Sequence, residues 1–90
     1  MLGENEMENK ILVKFEALLD GNNMPLWVKT FERTQSPSDR VYTREIVLGE
    51  KFWNAEDNTT LIKGLCWVKE NNPEEVRIII ILKNKSWFSG

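Results

Sequence analysis

Two apolar segments joined by a short polar stretch, within residues 57–82 (DNTTLIKGLCWVKENNPEEVRIIIIL), constrain the fold of this chain most strongly. Residues 59–69 do not alternate as a strand should, because both their odd and their even positions mix apolar with polar residues. Four apolar residues fall instead on one stripe at helical spacing, namely Leu61, Ile62, Leu65 and Val68. The spacing predicts a helix, which we expect to end at residues 71–73 (NNP), where proline follows two residues that readily leave a helix.

The second apolar segment, residues 76–82 (VRIIIIL), is short and rich in β-branched side chains. Such a run is typical of a strand that is buried on both faces, as in a parallel strand reached through a crossover helix. In a strand, Ile79 and Ile81 would point to one face and Val76, Ile78, Ile80 and Leu82 to the other. This segment therefore predicts a sheet whose two faces both need covering.

Three further strands are predicted upstream, at residues 10–20, 26–34 and 41–50. In the first of them, apolar residues alternate along the chain: Ile11, Val13, Phe15, Ala17 and Leu19. The turn-forming run 20–23 (DGNN) and a polar loop around Pro37 separate the three strands, which favours an antiparallel meander. The predicted fold is therefore α+β, close to α/β, with element order β-β-β-α-β. Its mixed sheet has a parallel fourth strand and one main helix on one face.

Length and charge indicate one small domain over residues 10–90, preceded by a flexible acidic tail at residues 1–9 that carries three glutamates. A net charge of -2 and a pI near 5.2 do not favour nucleic-acid binding, which needs a basic surface. No stretch has the length of a membrane span or the organisation of a signal peptide, so we expect a cytoplasmic protein.

Cys66 is the single cysteine, and the chain has no histidine. An internal disulfide and a Cys/His zinc site are therefore both excluded. The residues four positions before and after Cys66 are Ile62 and Glu70, neither of which would lower the pKa of its thiol. We expect Cys66 to be a packing residue.

The predicted element order resembles the first half of the ribonuclease H-like fold. Strand one ends in Leu19-Asp20-Gly21, as the family's first strand ends in a catalytic Asp followed by Gly. Residues 57–81 resemble the family's first helix and fourth strand, with Asp57 and its neighbour Glu56 where the family has a carboxylate near the helix start. Asn84 stands where the family bears another Asp. The resemblance implies a candidate nuclease site built from these residues, with Asp20 and Asp57 as candidate magnesium ligands.

A two-magnesium site needs several carboxylates to hold the ions, and the neutral Asn84 supplies less charge than the family's Asp. Simpler roles are also open: Asp20 as a turn residue, Asp57 as a helix cap, and Asn84 as a turn residue at a strand end. We therefore expect no bound cofactor, with Mg²⁺ as the alternative.

The uncovered face of the predicted fourth strand suggests an interaction surface formed by Ile79, Ile81, Trp87 and Phe88. The prediction is a small non-catalytic interaction or regulatory domain that forms a homodimer or binds a protein partner. One alternative is a metal-dependent nuclease of the ribonuclease H-like class that another chain completes. Another is an accessory nucleic-acid-binding protein.

Overall fold

A computed structural model of the chain describes residues 10–33 and 44–88, with side chains described up to residue 32 in the first range and residue 84 in the second. The predicted tail at residues 1–9 and the loop around Pro37 lie outside these ranges. The elements, in chain order, are β1 (Ile11–Leu19), β2 (Pro25–Arg33), β3 (Ile46–Asn54), β4 (Thr59–Val68) and α1 (Pro73–Phe88).

The four strands form one antiparallel sheet in the spatial order β2-β1-β4-β3. β1 and β4 occupy the centre and pair along their whole length, from Ile11 opposite Val68 to Leu19 opposite Thr60. Two hairpins, β1–β2 and β3–β4, are thus joined side by side through β1 and β4, each of which has a paired neighbour on both sides. Both hairpin turns lie at the same end of the sheet.

Helix α1 lies on one face of the sheet, where its main contact is with β2 and a smaller one is with β4. Its buried residues follow helical spacing: Val76, Ile79 and Ile80. They pack with the odd-numbered residues of β1, of which Val13, Phe15, Ala17 and Leu19 are fully buried, and with Ile62, Cys66 and Val68 of β4. This layer between helix and sheet is the hydrophobic core.

The start of α1 is fixed by a set of local hydrogen bonds. The Oδ1 atom of Asn72 accepts a hydrogen bond from the Glu74 amide at 2.9 Å, which makes Asn72 the N-cap, and Pro73 occupies the first helical position. The carboxylate of Glu75 reaches back to accept hydrogen bonds from the Lys69 and Glu70 amides, at 2.7 and 3.3 Å. The turn between β4 and α1 is therefore held by side chains of the helix itself.

The predicted positions of the helix and the fourth strand are wrong, because the two elements are exchanged. Residues 59–68 form β4 and residues 73–88 form α1, so the element order is β-β-β-β-α. The predicted parallel fourth strand is absent from the described sheet, in which every pairing is antiparallel. The order implied by the ribonuclease H-like resemblance is therefore not the order observed. An α+β architecture with one helix on one face of a four-stranded sheet is confirmed.

The physical reason for the exchange is the context of each segment. β4 is a central strand with apolar residues on both faces, so its period-two pattern is obscured. The β-branched run of α1 follows an N-cap, a proline and two glutamates in the first turn, which together favour a helix start. Packing against the core compensates for the weak helix propensity of its isoleucines. Among the described residues, no helix has the length and apolar character needed to cross a membrane.

Gly64, near the middle of β4, lies where the neighbouring strand approaches closely. A Cβ atom at this position would collide with the backbone carbonyl of Val47 and would lie 3.1 Å from the ring of Phe15. Both obstacles are held in place, the first by the sheet and the second by complete burial of the Phe15 side chain. Only glycine fits here without displacing the β3 backbone.

We predict that Gly64→Ala lowers the free energy of unfolding by on the order of 1 to 3 kcal/mol, as overpacking of a close-packed site does. Gly49→Ala is the matched control, because a Cβ there would meet only the Lys63 carbonyl, at 3.5 Å. We expect the control to change stability by no more than about 0.5 kcal/mol. Urea denaturation measures both, and equal stability of the two variants would contradict the close approach at Gly64.

Candidate functional site

Asp20 lies in the turn between β1 and β2, where its side chain organises the backbone. Its Oδ1 atom accepts hydrogen bonds from the amides of Asn22, at 2.8 Å, and Met24, at 3.0 Å. Asn23 adopts a left-handed conformation with φ of 64°, as this type of turn requires. These bonds give the carboxylate a structural role in the turn.

Glu56 and Asp57 lie in the turn between β3 and β4, and not at a helix start as the sequence predicted. The turn is organised by Asn54, whose Oδ1 atom accepts a hydrogen bond from the Glu56 amide at 2.9 Å. The Nδ2 atom of Asn54 lies 3.5 Å from an oxygen of Asp57, and Asn58 closes the turn with φ of 53°. Both carboxylates are on exposed residues of this turn.

Asn84 lies on α1, where its amide contacts the sulfur of Met24 at 3.8 Å. It is therefore a helix residue and not a turn residue at a strand end. Of the four predicted site residues, only Asp20 lines a shallow pocket of about 300 Å³, together with Lys51, Trp53 and Asn58, whereas Glu56, Asp57 and Asn84 do not line it. Within residues 10–33 and 44–88, no group of three His, Cys, Asp or Glu residues could hold a metal ion.

Cys66 is fully buried in the core between sheet and helix. Burial, followed by the nearby charges of Glu45 and Glu75, raises the pKa of its thiol from 9.0 to about 12, despite the opposing effect of Lys10. The thiol is therefore neutral near pH 7 and lacks the thiolate character of a reactive cysteine.

We predict that native protein resists alkylation of Cys66 by iodoacetamide at pH 8 and that the thiol reacts rapidly in denaturant. The neutral buried thiol contributes stability that is fully present below pH 9 and is lost as the pH rises towards 12, because its pKa is higher in the folded chain. Relative to Cys66→Ala, the unfolding free energy of the wild-type protein should therefore decline over this range. Alkylation of the native protein as fast as in urea would contradict the burial.

The four residues predicted to form an interaction surface do not share a strand. Ile79 is buried in the core and Ile81 is partly buried. On a helix these two residues are about 200° apart, so they do not share a face. Trp87 and Phe88 fall within α1, but their side chains lie outside the described part of the structure.

The sheet face opposite α1, here called the open face, has no described helix or strand packed over it. One row of side chains across all four strands of this face is wholly apolar, following the register of the sheet: Trp27 on β2, Leu18 on β1, Leu61 on β4 and Phe52 on β3. We call this the apolar row. Trp27 is 38% exposed and Phe52 is 51% exposed, whereas the two leucines between them are partly buried.

The next row on the open face, about 7 Å further along the strands, is charged throughout. It contains, in spatial order, Lys29 on β2, Glu16 on β1, Lys63 on β4 and Glu50 on β3. We call this the charged row. Its signs alternate from strand to strand, so every cross-strand neighbour carries the opposite charge, which stabilises this arrangement within the sheet.

A third row mixes the two kinds of residue: Phe31, Lys14, Leu65 and Val47. Lysine ammonium groups lie over three aromatic rings of the open face, with Lys14 5.9 Å from Phe31, Lys29 5.3 Å from Trp27, and Lys63 5.9 Å from Phe52. Beyond the third row the open face is no longer exposed to solvent: Leu12 and Trp67, which occupy its next positions, are buried. The exposed region therefore extends from the apolar row to the third row.

Comparison with models of known protein families, with curated proteins and with solved structures finds no match to this chain.

The sequence did not predict the open face because residues 59–69 were assigned to a helix. The feature that reveals the open face is the odd-numbered residues of β4, because Leu61, Lys63 and Leu65 are all partly exposed. Leu61 lies in the same row as Trp27 and Phe52.

Proposed function

We propose that this chain is a non-catalytic interaction domain that binds a protein partner through the open face. The observation that carries the proposal is the apolar row, which places Trp27 and Phe52 in exposed positions at its two ends. Tryptophan and other large aromatic residues dominate the binding energy of many protein interfaces. Pairing of β2 with β1 and of β3 with β4 holds these two side chains in a fixed register within the sheet.

The energetic argument rests on the exposed area of the two aromatic residues. Side chains of this type present about 150–250 Å² in total, so each leaves roughly 100 Å² in water here. At about 25 cal/mol per Å², covering both would contribute on the order of 5 kcal/mol before the costs of association. The partly exposed Leu18 and Leu61 between them would add to this value.

The non-catalytic part of the proposal is supported by the positions of the polar candidates. The Asp20 carboxylate is engaged in turn hydrogen bonds, and the Cys66 thiol is buried and neutral. Glu56 and Asp57 lie on a separate turn, without a described third ligand beside them. The described residues do not bring together the converging carboxylates that a two-metal nuclease needs.

Single-stranded nucleic acid is a second candidate ligand of the open face. The observation that favours it is the three lysines lying over exposed aromatic rings, since stacking bases and neutralising phosphates is how such ligands are held. Glu16 and Glu50 stand among these lysines and would repel phosphates. A protein partner is therefore favoured.

We predict that a photo-reactive benzoylphenylalanine in place of Phe52 forms covalent adducts with protein in the cells that make this chain. The same group in place of Ile78, which is exposed on the outer side of α1, should form few. Trp27→Thr, which shortens the apolar row from its other end, should abolish the adducts at position 52.

A stability measurement accompanies the crosslinking, because the variants must remain folded. All three substituted side chains, Trp27, Phe52 and Ile78, are exposed, so we expect each variant to lose no more than about 1 kcal/mol of unfolding free energy. Adducts as frequent at position 78 as at position 52, or adducts that persist with Trp27→Thr, would overturn the proposed function.

A further inference from the structure

We propose that the partner of the open face is a second copy of this chain, packed face to face about a twofold axis that runs parallel to the strands. The inference rests on the proposed function and names the occupant of the same surface. It follows from the order of charges across the sheet, which makes the charged row complementary to itself.

The charged row reads plus, minus, plus, minus from β2 to β3. A twofold axis parallel to the strands and centred between β1 and β4 reverses this order in the partner. Lys29 then faces Glu50 of the partner subunit, and Glu16 faces Lys63 of the partner subunit. Each of these contacts occurs twice, as an isologous interface requires.

In the other symmetric arrangement, the twofold axis is perpendicular to the strands and passes through the charged row. This arrangement does not bring opposite charges together. It places every member of the row opposite its own copy, so that all four facing pairs have like charge. The charged row thus selects one orientation, which is the main contribution of charges at interfaces.

The apolar row is also matched by the axis parallel to the strands. Trp27 faces Phe52 of the partner subunit, and Leu18 faces Leu61 of the partner subunit, so the whole row meets apolar side chains. Sheets packed in this aligned way form the core of β-sandwiches, with about 10 Å between them. The apolar row supplies the attraction between the copies, and the charged row beside it fixes their orientation.

The exposed region is small enough to make the association reversible. Four strands about 4.8 Å apart and three rows about 7 Å apart give the exposed region an area of roughly 20 by 20 Å, or about 400 Å². This area is smaller than the roughly 800 Å² that each partner buries in a standard stable interface. The dimer should therefore dissociate on dilution, and the lysines now lying over aromatic rings can turn towards the facing glutamates.

The test uses charge reversal at the two ends of the charged row, where Lys29 and Glu50 are exposed. Lys29→Glu and Glu50→Lys should each weaken self-association at least about tenfold, because each creates two like-charge contacts across the axis. An equimolar mixture of the two variants should associate about as well as the wild-type chain, since the mixed dimer restores opposite charges at both ends. Sedimentation equilibrium measures all four samples.

Controls of matched charge change lie away from the open face. Arg77→Glu on α1 and Glu56→Lys in the β3–β4 turn alter net charge by the same amounts and should leave self-association unchanged. A wild-type chain that remains monomeric at millimolar concentration would overturn the inference. So would a mixture of the two charge variants that associates no better than either variant alone.

These outcomes are distinguishable from failure of the proposed function. If the purified chain is monomeric but benzoylphenylalanine at position 52 still captures a different protein, the open face is a docking surface and the inferred partner is wrong. If it captures nothing, the proposed function fails as well. Binding of fluorescent single-stranded RNA that Lys29→Glu weakens and Glu50→Lys strengthens, without self-association, would overturn the dimer in favour of a nucleic-acid ligand.

Discussion

The packing of one helix against one face of a four-stranded sheet is the interaction on which the rest of the structure depends. The main contact of the helix is with β2, and its buried residues share the core with Val13, Phe15 and Ala17 of β1, which is held between β2 and β4. A sheet has two faces, and in the described part of the chain one helix covers only one of them. The apolar and charged rows on the other face are therefore left in contact with solvent, where they can meet a second molecule.

The early part of the fold was predictable from sequence because its signals are local. The alternation of residues 11–19 and the turn residues after it place β1 correctly, and the predicted second strand at 26–34 agrees with Pro25–Arg33. The predicted third strand at 41–50 only overlaps β3, which extends to Asn54. Residues 41–43 lie outside the described ranges.

The later part could not be read from local pattern alone, because tertiary context decides it. A central strand such as β4 carries apolar residues on both faces, so apolar residues occur at both odd and even positions, and some of them also match helical spacing. The isoleucines of α1 have strand propensity, but Asn72, Pro73 and Glu75 together specify a helix start. Residues 71–73 (NNP) were predicted to end a helix, although the proline and the two glutamates that follow it are features of a helix start.

The sequence allowed the roles of single candidate residues to be predicted, but not the arrangement of residues across the open face. The structural role considered for Asp20, a turn before glycine, is the one its hydrogen bonds describe. The open face depends on the register among four strands, since Trp27 and Phe52 are far apart in sequence and join one row only through Leu18 and Leu61. No spacing in the sequence encodes this alignment, because register is set by turns, bulges and burial.

Isotope-filtered NMR on an equal mixture of labelled and unlabelled chains tests the central claim most directly. Within one chain, Trp27 and Phe52 lie at opposite edges of the sheet, three strand spacings or about 14 Å apart, which is too far for a nuclear Overhauser effect. The face-to-face dimer predicts cross-peaks between the Trp27 ring of one chain and the Phe52 ring of the other. Intermolecular cross-peaks that involve only Ile78 and Leu82 on the outer side of α1 would contradict the account.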